Sequence, residues 1–95
     1  MTAYIIAIRE EKLRDPAEMK LYGEKAAKAR VEGMKPLAVY GTCETLEGKA
    51  ADGVVLLEFP DSATAKAWYD SPAYQDARKH RLAAADYRFI LFDGI

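Results

Sequence analysis

The residues of this chain that could do chemistry are few and are gathered late in the sequence. "WYDSPAYQ", Trp68 to Gln75, sets three aromatics around a Ser-Pro pair, and Arg81 follows shortly after. Trp and Tyr have an apolar body and a polar tip, so Trp68, Tyr69 and Tyr74 suit a pocket wall as well as a packed corner. Arg81 stands seven residues past Tyr74, hence on the same helix face, where its guanidinium could anchor an anionic or carbonyl group. Tyr22, upstream, is a further aromatic wall. Glu58 is the one charge in "VVLLEF". A buried carboxylate needs a partner, and Arg9 or Arg88 could supply one. Otherwise its apolar strand, which disfavours the charged form, suits Glu58 to work as a general base.

The remaining reactive types point nowhere specific. Histidine ordinarily titrates near neutrality, but His80 lies within "RKHR", which reads as exposed. Cys43 is the sole cysteine, so no internal disulfide forms and no zinc pattern fits; it reads as a small, semi-buried hydrophobe. No metal motif, Gly-rich phosphate loop or Ser-His-Asp spacing is present, and no cofactor is expected.

Composition narrows the class. The chain is 51% apolar and 31% charged over 95 residues, which suits one globular domain spanning 1–95. Fourteen basic residues against fifteen acidic ones leave no basic excess, so a nucleic-acid partner is not expected. Basic clusters at Lys25 to Arg30, at Lys35 and at 78–81 read as solvated helix faces. The apolar runs are too short for a signal peptide or a membrane span, and a cytoplasmic location is expected.

Elements must position the candidate residues. "AYIIAIR" (3–9) reads as a strand. "DPAE" (15–18) starts a helix: Asp15 caps, Pro16 takes the first position and Glu18 completes a capping-box spacing. That helix runs to about Val31 and stops at Gly33, with Met19, Tyr22, Ala26 and Ala29 facing the core. "PLAVYGTC" (36–43) and "VVLLEF" (54–59) read as a hairpin of antiparallel strands. A second helix, capped by Asp61 or Ser62, breaks at Asp70 and restarts with Ser71 as cap and Pro72 in first position. "YRFILF" (87–92) is the last strand.

The order β-α-β-β-α-β is that of an α+β, ferredoxin-like fold, a four-stranded antiparallel sheet with its helices on one face and the second helix interrupted. Both sheet faces are apolar. Tyr4, Ile6 and Ile8 alternate with Ile5 and Ala7, and Val54 and Leu56 with Val55, Leu57 and Phe59. Helices cover one face, so a second copy of the chain is the economical cover for the other, giving a homodimer packed sheet to sheet.

The segment from Glu58-Phe59-Pro60 through Ala67-Trp68-Tyr69 to Ser71-Pro72, Tyr74 and Gln75, continued by Arg81 and Gly94, resembles the DUF1330 family. "AYIIAI" through "VYGTCETLEG" fits more loosely, so the resemblance spans nearly the whole chain. It implies the dimeric α+β-barrel superfamily, which also holds cofactor-free monooxygenases, muconolactone isomerase-like enzymes and haem-binding proteins. No activity follows from it. Members often carry an arginine in the second strand near the position where this chain has Tyr40. A role for that arginine does not transfer. The function expected is binding of a small organic ligand, an aromatic or carboxylic acid. A cofactor-independent isomerase or monooxygenase acting on such a molecule is the alternative.

Overall fold

In the computed structural model, which describes residues 1–95, the chain forms β1 (Ala3–Arg9), α1 (Pro16–Lys28), β2 (Lys35–Val39), β3 (Gly53–Phe59), α2 (Ser62–Asp70), α3 (Pro72–Ala84) and β4 (Tyr87–Asp93). The strands lie in the order β2-β3-β1-β4, every neighbouring pair antiparallel. This is the α+β, ferredoxin-like arrangement with an interrupted second helix.

Alternation along the strands decides which side chains meet the helices. Ile5 pairs with Leu57 and with Leu91, and Ala7 with Val55 and with Phe89. These residues form the helix-side face. Its buried core joins Ile5, Leu57 and Phe59 to Ala29, Ala65, Trp68 and Tyr74. The opposite face carries Tyr4, Ile6, Ile8, Val54, Leu56, Ile90 and Phe92. Ile90 and Phe92 are 42% and 43% exposed, so this apolar face is left open.

The helix break is built from side-chain hydrogen bonds. Ser71 has extended backbone (φ −62, ψ 146), so the helix does not run through it. Its hydroxyl donates to the Trp68 carbonyl at 2.7 Å and accepts from the Tyr74 amide at 3.2 Å, serving both helices at once. Pro72 has no amide to offer the Trp68 carbonyl four residues back, which the Ser71 hydroxyl serves instead, and Gln75 Nε2 donates to the Tyr69 carbonyl at 2.7 Å, another of the last carbonyls of α2. "SP" in the sequence thus separates two helices, and the break turns Trp68, Tyr69 and Tyr74 into one aromatic cluster. Trp68 and Tyr74 have ring centroids 4.1 Å apart, and Tyr69 and Tyr74 5.5 Å.

Several local expectations are corrected. α1 ends at Lys28, capped by Ala29, rather than near Val31. Gly33 instead turns the following loop at φ +87, where a Cβ would come within 2.6 Å of Pro60 Cγ. Asp15 caps α1 as expected, but Glu18 does not complete a capping box; its carboxylate bonds His80 Nδ1 at 2.5 Å, so that histidine is half-buried between helices. β2 stops at Val39, because Tyr40 takes the left-handed backbone (φ +51) and a bulge lies between Pro36 and Ala38. Cys43 is exposed, not semi-buried, because 40–52 is a loop with almost every residue in solvent.

Candidate functional site

Helix α1 has an apolar stripe at helical spacing, yet none of its residues is buried. The stripe faces space. Between α1 and the sheet lies a cavity of about 400 Å³, lined by 16 residues of which 13 are hydrophobic. Met19, Tyr22 and Ala26 reach into it from α1, Val55 and Leu57 form its floor, and Trp68 and Phe89 close its inner side. Protein interiors are normally packed to leave few voids larger than a water. α1 is held instead by α3, through polar bonds: Tyr22 Oη to Tyr74 Oη at 2.9 Å, Lys25 to Asp76 at 2.6 Å, and Glu18 to His80.

The expected site residues divide across this architecture. Tyr22 and Trp68 line the cavity. Tyr74 is wholly buried behind them, and its hydroxyl holds that of Tyr22. Tyr69 faces the other way, into a smaller cavity of about 280 Å³ between α2 and the sheet. Phe89 borders both cavities. Arg81 is 3% exposed, with its guanidinium carbon 4.1 Å above the Phe89 ring and 5.4 Å from the Tyr87 ring. Glu58 is not part of this arrangement. It pairs in register with Tyr4 on the open face and lies 3.8 Å from Lys35, neither Arg9 nor Arg88 being its partner. Arg9 pairs with Asp52, and Arg88 with Glu10. Period-two alternation already put Glu58 on the face of Val54 and Leu56, and that parity prevails over its appeal as a lone carboxylate.

Two tyrosines that sequence reasoning passed over complete the wall. Tyr87, on the helix-side face with Phe89, and Tyr40, at the end of β2, both line the cavity. Their hydroxyls are 2.5 Å apart, and the Tyr87 hydroxyl lies 3.9 Å from Met19 Sδ on α1. The Arg9 guanidinium stands 4.8 Å above the Tyr40 ring. A non-glycine residue in the left-handed region costs about 1–2 kcal/mol, and these contacts hold Tyr40 there. Parity with Phe89 was the available signal for Tyr87. Nothing local marked Tyr40, since the bulge breaks the alternation.

Burial pushes the Tyr22 phenol far above the ordinary phenol range, and the adjoining Tyr74 adds to the shift. Tyr40 is pushed up by burial and by its bond to Tyr87. Tyr74 is raised by burial against the opposing charge of Arg81. These hydroxyls are therefore neutral donors and acceptors at ordinary pH. No three His, Cys, Asp or Glu side chains come together as a metal-binding group.

Sheet order and helix placement define an α+β protein of the ferredoxin-like class, with a partly open cavity under its first helix. The family model described as "Domain of unknown function (DUF1330)" matches residues 2–95, and the chain belongs to that family. Solved structures share the fold. A protein of unknown function from Rhodopseudomonas palustris superposes with a TM-score of 0.76 at 21% identity, over 99% of this chain and 82% of that one. A dimeric ferredoxin-like protein of unknown function from Thermobifida fusca gives 0.69 at 19% identity, covering 99% and 92%. SnoaB, a cofactor-independent oxygenase from Streptomyces nogalater, gives 0.66 at 12% identity, covering 99% and 92%. At such identities the likeness carries the fold alone. No curated protein matches the sequence.

Proposed function

We propose that this protein is a homodimer joined by its open sheet faces, and that each subunit holds a small organic molecule, aromatic or carboxylic acid, between α1 and the sheet. The observation that carries the reading is the cavity. Its volume falls in the range of small-molecule sites, about 300–1,000 Å³, and its mainly apolar lining with a few convergent hydroxyls is typical of them. An apolar wall is a poor host for water, so a ligand is the natural filler. The dimer is supported by the open apolar face, and the Thermobifida fusca relative is itself dimeric.

A screen of aromatic and carboxylic-acid metabolites tests this. Trp68 is the only tryptophan and lines the cavity, so its fluorescence reports occupancy alongside the melting temperature. If no compound moves either signal, the binding reading falls. A second reading, cofactor-independent catalysis, draws on the hydroxyl-rich wall and on the oxygenase that shares the fold. Consumption of a bound compound in air, without added cofactor, would favour it. Any general-base role for Glu58 would then operate at the dimer seam, since Glu58 faces away from the cavity.

A further inference from the structure

The cavity is biased in charge. Its lining holds one charged residue, Arg30, and no carboxylate, although the chain as a whole carries fifteen acidic residues against fourteen basic ones. Two more arginines stand behind the wall on either side of Tyr87. Arg9 is its cross-strand neighbour on β1, and Arg81 lies over its ring. Arg9 is neutralised by Asp52 at 2.8 Å. Arg81 is not neutralised. None of the ion pairs of the chain includes it, and its Nε is buried without a hydrogen-bond partner. The indole Nε1 of Trp68, on the cavity wall, is likewise buried and unpartnered.

A buried cation with no counter-charge is costly, and the aromatic faces of Phe89 and Tyr87, with the neutral hydroxyl of Tyr74 beside it, offset this only in part. Low-dielectric walls of one sign focus the field into the space they enclose. Resting on the reading of this cavity as a ligand site, we infer that its ligand is an anion, an aromatic monocarboxylate, with the carboxylate against Tyr87 and the ring along Leu57 and Trp68. The hydroxyls of Tyr87 and Tyr40 supply donors at the surface, and Arg81 supplies the missing charge from behind it. A neutral aromatic of the same size would fill the apolar part and leave Arg81 as it is.

The test compares benzoate with benzyl alcohol, a neutral probe of similar size, by titration of Trp68 fluorescence and by calorimetry. Benzoate is expected to bind at least tenfold more tightly. Arg81→Met, which replaces the charge by an apolar chain, should weaken benzoate at least tenfold and change benzyl alcohol less than twofold. Tyr87→Phe keeps the wall and removes a donor, so it should weaken benzoate several-fold, and it serves if Arg81→Met fails to fold. Equal affinity for the two probes overturns the inference and leaves the cavity reading standing. So does unchanged benzoate binding in the variants. Binding of neither probe overturns the inference, and the wider metabolite screen then decides the cavity reading.

Discussion

The hydroxyls of Tyr40 and Tyr87 meet 2.5 Å apart although they belong to opposite margins of the sheet, one at the end of β2 and the other at the start of β4. The two strands between them contribute Gly53 and Arg9, which pair in register. Gly53 has no side chain, so the Tyr40 ring can lie across β3; a Cβ there would stand 2.8 Å from Tyr40 Cδ1. Arg9 then covers the ring, and its hydroxyl meets that of Tyr87. A row of four residues spans the sheet, and its two tyrosines line the cavity.

Gly53→Ala should therefore force the Tyr40 ring aside and cost about 1–3 kcal/mol in urea unfolding, the usual scale of overpacking. Tyr40→Ala removes the ring that the new methyl would strike. The double variant should thus be more stable than the sum of the two single losses, a coupling that a double-mutant cycle reads directly. Additive losses would mean that Gly53 is not there to accommodate Tyr40.

Ser71→Ala should destabilise by about 1 kcal/mol, the usual cost of losing an N-cap. The hydroxyl serves the end of α2 as well as the start of α3. Ser71→Thr keeps the hydroxyl and should recover most of the stability. Urea midpoints at constant slope measure both.

Stability should fall at alkaline pH through Tyr22 and Tyr40. Tyr22 and Tyr40 have folded pKa values raised above that of an unfolded tyrosine, about 10. The folded state thus holds their protons where the unfolded state has released them. Their contribution is complete below pH about 10 and is lost progressively as pH rises above it. Melting temperatures across that range should show the decline. Tyr22→Phe should flatten it, and phenolate absorbance of Tyr22 should appear together with unfolding.

Ile90→Asp should leave a folded monomer at micromolar concentration in sedimentation. The substitution puts a charge in the middle of the open apolar face through which we propose that two copies meet, where burial of an unpaired carboxylate is strongly opposed. Phe92→Asp should act the same way. If both variants sediment as the parent protein does, the copies do not meet through this face.

Much of the architecture was legible in the residues. Alternation in "AYIIAI" and "VVLLEF", Asp15-Pro16 at a helix start and Ser71-Pro72 at a helix break act within a few residues of chain. Local sterics and hydrogen bonding therefore decide them wherever they occur. The same alternation put Glu58 on the open face, and the helical spacing of Met19, Tyr22 and Ala26 marked one side of α1.

Only the tertiary structure decided that this side of α1 meets a cavity and not a packed core. The distance between helix and sheet is set by how α1 docks on α3, through contacts from residues about fifty positions apart such as Tyr22 and Tyr74. Only it decided that Arg81 is buried without a counter-charge and that Tyr40 reaches Tyr87. The first depends on which carboxylates the packing brings near. The second depends on strand order, on a bulge in β2 and on the absence of a side chain at Gly53. Each is a relation between distant segments, and no local propensity encodes it.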